Sequence, residues 1–102
     1  LPVSKRENTA WFGFPLTVRG TAPFTRSKIT RYLEDSGIAT RLMFGGNITR
    51  QPAYKDADYS ADPLPNCDIV MANGFWVGCW HGLNEEQIDY TVDRIINFVS
   101  KF

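Results

Sequence analysis

The chain carries one histidine, two cysteines and no excess of either charge, eleven Lys and Arg standing against eleven Asp and Glu. A structural zinc site takes about four ligands, commonly with a CxxC pair. Cys67, Cys79 and His81 offer three candidates and no such pair, so no metal is expected. The two cysteines then read as small apolar residues of the core. They are too few for a disulfide scaffold, and a single bridge between them has no support in the sequence. Zero net charge argues against a nucleic-acid binder or a membrane-surface module, both of which usually carry a basic excess. No apolar run approaches the roughly 18 residues of a bilayer span, and the stretch 1–10 lacks the apolar centre of a secretion signal. There is also no initiator methionine, so the chain reads as a piece cut from something longer, with the reducing cytoplasm as its expected compartment. Nucleophile elbow and phosphate-binding glycine loop are both missing. With one histidine, serine or cysteine catalysis has little choice of base.

What is present builds a core. The 102 residues are 43% hydrophobic and 14% aromatic, enough for one folded domain. Residues 1–10 read as a polar leading segment and 11–102 as the domain. WFGFPLTVR, from Trp11 to Arg19, is aromatic and β-branched and reads as a strand. Pro15 removes a ladder donor and places that strand at an edge or a bulge. Thr25 caps a helix, with Phe24 and Ile29 as a hydrophobic staple, and Ile29, Tyr32 and Leu33 on one face. Gly37 ends it in a left-handed turn. Ala39 to Phe44 reads as a second strand and Gly45 to Pro63 as an irregular stretch. Leu64 to Asn73 is assigned a short helix opened by Pro65, with Ile69 and Val70 as a buried face and a short strand as the alternative. Phe75 to Trp80 reads as a third strand. Asn84 caps the last helix, Gln87 completes a capping box, and Glu85 and Glu86 suit the positive end of the helix dipole. Ile88, Val92, Ile95, Ile96 and Val99 form its expected buried stripe. The order β-α-β-α-β-α gives an α+β fold, a small three-stranded sheet with helices packed on one face.

The segment TRLMFGGNITRQPAY, from Thr40 to Tyr54, is the chemically richest. Arg41, Asn47, Arg50 and Gln51 surround Gly45-Gly46. Glycines let a backbone approach a ligand closely, and arginine pairs with carboxylate or phosphate. The segment reads either as an anion-binding loop or as a solvated loop whose arginines serve surface ion pairs. Phe44, Tyr54 and Tyr59 beside those amides suit a sugar or an interface. His81 follows the third strand at a junction with the last helix, facing a ligand or standing as a surface turn residue.

WFGFPLTVR, SGIATR, LMFGGNITRQPAY, LPNCDIVMANGFWVGCWHGL and EEQIDYTVDRI, in that order, resemble the C-terminal part of the sugar-modifying enzymes with the aspartate aminotransferase fold. FGGN and FWVG are most similar to the branch of CDP-4-keto-6-deoxy-D-glucose 3-dehydratases and related lipopolysaccharide-biosynthesis dehydratases. Sugar aminotransferases of the DegT type share the TR-to-QPAY layout. The resemblance implies the small domain of a fold-type I enzyme that uses pyridoxal or pyridoxamine phosphate. That enzyme would remove the C3 hydroxyl of a nucleotide-linked 4-keto-6-deoxy sugar on the way to O-antigen 3,6-dideoxyhexoses. It places the cofactor mainly on an N-terminal large domain of the same polypeptide, a partner along with the nucleotide-sugar substrate and a second subunit of a homodimer. Neither nucleic acid nor membrane is implied as a partner.

Carried over by position, the substrate contacts implied here are Arg41, Gly45, Gly46, Asn47, Gln51 and Tyr54, with His81 as a further candidate. Relatives often read Tyr-Pro-Gly where this chain reads Trp80-His81-Gly82, which weakens a specific role for His81. No catalytic residue is assigned to the segment, which alone is expected to be inactive. The competing reading is a non-catalytic α+β binding module.

Overall fold

The structure, a computed structural model, describes residues 9–59 and 63–102. All but the last two residues of the expected leading segment 1–10 lie outside that description.

Three antiparallel strands, β1 (Gly13–Thr17), β2 (Thr40–Leu42) and β3 (Gly74–Gly78), are ordered β1-β3-β2. β3 alone has a neighbour on both sides, and it contains no proline. Pro15 lies on edge strand β1, opposite Trp76, where its missing N–H costs the ladder nothing. The alternation of a strand sends Phe75 and Val77 to one face of the sheet and Trp76 to the other. Helices α1 (Arg26–Asp35) and α3 (Glu85–Val99) cover the first face. There Phe75 and Leu33 are fully buried, with Val18, Ile29, Val77 and Phe98 around them. Truncating Phe75 to alanine should cost about 3–5 kcal/mol.

The local signals act as read. Thr25 accepts from the Lys28 N–H, and Gly37 adopts φ +79° just past α1. Asn84 and Gln87 form a reciprocal capping box at α3. The stretch expected to be irregular contains two 3-10 turns, Ile48–Arg50 and Pro52–Tyr54, and the short helix is present as α2 (Pro65–Asn73), passing directly into β3.

Four expectations are corrected. β1 and β2 are shorter than the runs 11–19 and 39–44. β2 stops at Leu42 because Phe44 turns the backbone to φ +48°. β3 begins at Gly74, and Cys79 and Trp80 leave the sheet because Gly78 pairs with Gly13, the first residue of β1. Second, Ile69 is exposed and α2 buries no residue, since it lies at the end of the sheet rather than over it. Third, the cysteines are free and half-buried, outside the core.

The fourth concerns α3. Of the expected stripe only Ile95 packs against the core; Ile88, Val92, Ile96 and Val99 are exposed. The buried side of the helix follows Thr91, Arg94, Ile95 and Phe98 instead. The cause is Phe98, whose ring meets those of Phe24 at 5.0 Å and Tyr32 at 5.2 Å. Such aromatic contacts add to area burial and roll the helix toward them.

Candidate functional site

β2 delivers the chain into the turn Met43–Gly46. The Phe44 N–H donates to the Leu42 carbonyl (2.8 Å) and the Gly46 N–H to that of Met43 (3.0 Å). Phe44 and Gly46 both have positive φ, 48° and 61°. A left-handed backbone costs a residue with a β-carbon about 1–2 kcal/mol, and at Phe44 it aims an exposed ring at Trp76, edge to face at 4.7 Å. Trp76 also meets Phe12 at 5.2 Å. Arg41 is in register with Trp76 across the β2–β3 ladder. Three aromatic rings and one exposed guanidinium thus share the sheet face that α1 and α3 leave uncovered.

Behind this face the loop is fastened to α2. Asn47 is 3% exposed. Its Nδ2 donates to Asp68 Oδ1 (2.7 Å), while its Oδ1 accepts from the N–H and hydroxyl of Thr49. Arg50 grips the same carboxylate with two parallel hydrogen bonds, Nε to Oδ1 at 2.7 Å and Nη2 to Oδ2 at 2.8 Å. The hydrogen bonds from Arg50 and then Asn47 hold the Asp68 carboxyl below the usual aspartate range. Gln51 Nε2 closes the loop onto the Gly45 carbonyl (2.6 Å). Gly46 packs so closely on α2 that a β-carbon there would stand 2.5–2.8 Å from Met71 atoms. α2 is anchored in turn by Arg26, whose Nη1 donates to the carbonyls of Met71 (2.7 Å) and Gly74 (3.3 Å).

The expected site residues therefore divide. Arg41, Gly45 and Tyr54 are exposed on or beside the loop. The polar atoms of Asn47 and Gln51 and the bare α-carbon of Gly46 shape the loop from within. His81 is exposed beside Trp80, its ring 5.5 Å away. It follows the end of β3 that pairs with Gly13, whereas the loop leaves β2 at the opposite end, beside Phe75. The fold does not bring His81 to the 40–54 loop. Arg50, read as anion-binding or as a surface ion-pair partner, is in an ion pair with Asp68.

Asp68 itself is the residue that sequence reasoning missed. Its one signal was an isolated acid on a short helix in a chain whose loop carries cations. In the sequence Trp76 and Phe12 carry only the signal of strand residues. A second carboxylate braces β2: Glu34 Oε1 accepts the hydroxyl (2.7 Å) and N–H (2.8 Å) of Thr40. Those two bonds, with Arg41 nearby, hold Glu34 below the usual range. Away from the loop, a cleft of about 740 Å3 opens between Phe12, Ile38, Cys79 and the first turns of α3. Among the described residues no cluster of His, Cys, Asp and Glu could hold a metal ion, and no helix is long and apolar enough to cross a membrane.

Comparison with known proteins gives a consistent relationship. A dTDP-4-dehydro-2,6-dideoxy-D-glucose 3-dehydratase of Saccharopolyspora spinosa is 47% identical over 99% of this chain and 22% of its own length. The lipopolysaccharide biosynthesis protein RfbH of Salmonella typhimurium is 35% identical over 93% of this chain and 22% of its own length. Among solved structures, an E. coli GDP-4-keto-6-deoxy-D-mannose-3-dehydratase with bound hydrated PLP superposes with a TM-score of 0.74. It is 26% identical and the match covers 82% of this chain and 22% of that one. The sugar aminotransferase fold of Spr1654 from Streptococcus pneumoniae matches with a TM-score of 0.71. The chain thus spans about a fifth of the length of these relatives. Residues 1–96 match the DegT/DnrJ/EryC1/StrS aminotransferase family, and the chain belongs to that family.

Proposed function

We propose that this chain is the small domain of a nucleotide-sugar 3-dehydratase, covering the active site and contributing substrate contacts. The observation that carries the reading is the loop 43–54, locked to α2 through Asp68, which sets exposed Phe44 against Trp76 on the sheet face that also carries Arg41. Arg41 offers a charged donor for a phosphate oxygen of the nucleotide. The exposed aromatic faces suit the apolar side of a sugar or a base. Asn47, Gly46 and Gln51 fix where that surface sits, and orientation of this kind can supply a large part of a rate enhancement. In this reading His81 lies outside the substrate surface.

Solved relatives carry pyridoxal phosphate. That group needs an amine or its equivalent at the aldehyde and convergent donors at the phosphate. The described residues do not fit it. Lys28 and Lys101 lie over the rings of Phe102 and Tyr32 on the helical surface, and Lys55 stands exposed after the second 3-10 turn. In this reading the remainder of the polypeptide holds the cofactor. A cytoplasmic homodimer acting in O-antigen synthesis completes the reading.

The test is product analysis with the full-length protein, pyridoxamine phosphate and a 4-keto-6-deoxy sugar nucleotide. Loss of the C3 oxygen as water is expected, observed by mass spectrometry in the presence of a reductant. A second reading, a sugar aminotransferase, is favoured by the match of residues 1–96 to the DegT/DnrJ/EryC1/StrS aminotransferase family; with glutamate as donor it gives an amino sugar that retains the C3 hydroxyl. Failure of both reactions across nucleotide sugars would leave a binding module.

A further inference from the structure

Thr40 and Arg41 are neighbours on β2, so their side chains leave on opposite faces of the sheet. Thr40, in register with Val77, is buried on the side that α1 and α3 cover, whereas Arg41, in register with Trp76, is exposed on the bare side. β2 is an edge strand, and the outward N–H and carbonyl groups of an edge have no ladder partner. Here the chain supplies partners itself. The Thr40 N–H donates to Glu34 Oε1, the Thr40 carbonyl accepts from Arg41 Nη1, and the Leu42 carbonyl accepts from the Phe44 N–H, each at 2.8 Å. What lies along this edge is a guanidinium, not another strand.

Glu34 stands where a carboxylate is otherwise unfavourable. It lies in the last turn of α1, beside Asp35 and with no basic residue in that turn, at the end where the helix dipole repels an acid. Its Oε1 accepts both the N–H and the hydroxyl of Thr40. Those two bonds, and after them the Arg41 charge, lower the Glu34 carboxyl, so the guanidinium sits within reach of its field.

The path from Glu34 to Thr40 is held along its length. Gly37 turns at φ +79°, and the N–H groups of Gly37 and Ile38 donate to the carbonyls of Glu34 (3.0 Å) and Leu33 (2.9 Å). From α3, the Tyr90 hydroxyl donates to the Ser36 carbonyl (3.0 Å). α1 thereby sets the position of Thr40, and the Thr40 carbonyl in turn takes Nη1 of Arg41. With Nη1 held, the edge formed by Nε and Nη2 offers two parallel donors, the geometry that suits two oxygens of a phosphate. A side chain ordered before its ligand arrives loses less freedom on binding.

We propose that Glu34 is a positioning residue for the substrate: acting through Thr40, it holds Arg41 with its Nε–Nη2 edge presented to a phosphate of the sugar nucleotide. This inference rests on Arg41 being a substrate contact and not on which reaction follows at the sugar.

The test is a double-mutant cycle in the full-length protein, with steady-state kinetics on the 4-keto-6-deoxy sugar nucleotide that it dehydrates or aminates. Glu34→Ala should lower kcat/KM about tenfold, through KM and with kcat kept. Added to Arg41→Ala, it should cost nothing further, within about twofold, because both act at one contact. Glu34→Gln, which still accepts both Thr40 bonds, should stay within about twofold of the parent by the same measure. Additive losses, a loss confined to kcat, or Glu34→Gln as damaging as Glu34→Ala would each overturn the proposal. If Glu34→Ala does not fold, Thr40→Val, which keeps the shape and removes one of the two bonds, takes its place in the cycle: a loss in KM that vanishes in the Arg41→Ala background supports the proposal, and a loss that persists there overturns it. A damaged Arg41→Ala beside an intact Glu34→Ala overturns this inference alone. An unchanged Arg41→Ala, or a protein that converts no sugar nucleotide, overturns the substrate surface and this inference together.

Discussion

Asp68 takes the Arg50 guanidinium in a two-pronged ion pair and, through the same Oδ1, holds the buried amide of Asn47. One carboxylate on α2 thereby sets the loop that follows β2. Asn47→Ala removes a 3%-exposed amide that serves both Asp68 and Thr49, at a cost of about 1–3 kcal/mol. Asp68→Ala should loosen the same segment from the other side. Hydrogen exchange at the Thr49 and Arg50 amides is expected to speed up in both variants, while that at Leu33 and Phe75 stays unchanged. Unaltered exchange at Thr49 would mean that the network does not hold the loop.

The paired glycines should respond oppositely. Gly46→Ala places a β-carbon at φ +61° and within 2.8 Å of Met71 atoms, one of them its α-carbon, so a loss of more than about 2 kcal/mol is expected. Gly45 has ordinary φ, and the nearest atom to its absent β-carbon is Gln51 Nε2 at 4.0 Å. Gly45→Ala should then lie within about 1 kcal/mol of the parent. Urea denaturation of the two variants separates them; equal losses would refute the assignment of Gly46 to packing on α2.

Much of this was legible where the determinant was local. Thr25, Gly37, Asn84 and Gln87 act within a turn of the helix they cap, and Pro15 marks its strand as an edge by itself. The roll of α3 was not legible, because it is decided by Phe98 meeting Phe24 and Tyr32, residues far off in sequence. Apolar residues at helical spacing define two overlapping stripes there, and only the sheet and α1 choose between them. Asp68 was hidden for the same reason: its partners lie across the stretch 51–63. The left-handed Phe44 broke the second strand early, and nothing in a phenylalanine announces positive φ. The 40–54 segment was therefore found as a unit, while the division between residues that shape it and residues that face outward came from the fold.

Acid should unfasten the loop. The Asp68 and Glu34 carboxyls are held below their ordinary values in the folded chain, Asp68 by Arg50 and Asn47 and Glu34 by Thr40. With the folded value below the unfolded one, the unfolded state binds more protons in that window and stability rises with pH. The contribution is complete above about pH 4–4.5, where the unfolded groups are ionised, and is lost as pH falls through the folded values. The Tm difference between the parent chain and Asp68→Ala should accordingly be constant from pH 6 to pH 8, by this reasoning, and shrink below about pH 4. A difference that grows on acidification would contradict the sign.

Arg41 gives the sharpest test of the exposed face. Its side chain is exposed, and among the described residues its Nη1 donates to the carbonyl of Thr40 (2.8 Å). Replacing it should leave stability within about 0.5 kcal/mol. If Arg41 donates to a phosphate of the substrate, Arg41→Ala in the full-length enzyme loses a charge-assisted hydrogen bond, which corresponds to about ten- to a hundredfold in kcat/KM. Because a nucleotide phosphate is remote from the reacting C3, the loss should fall mainly on KM, and Arg41→Lys should recover part of it by keeping the charge without the fork. A fall confined to kcat would move Arg41 toward the reacting carbons, and an unchanged kcat/KM would remove it from the substrate surface.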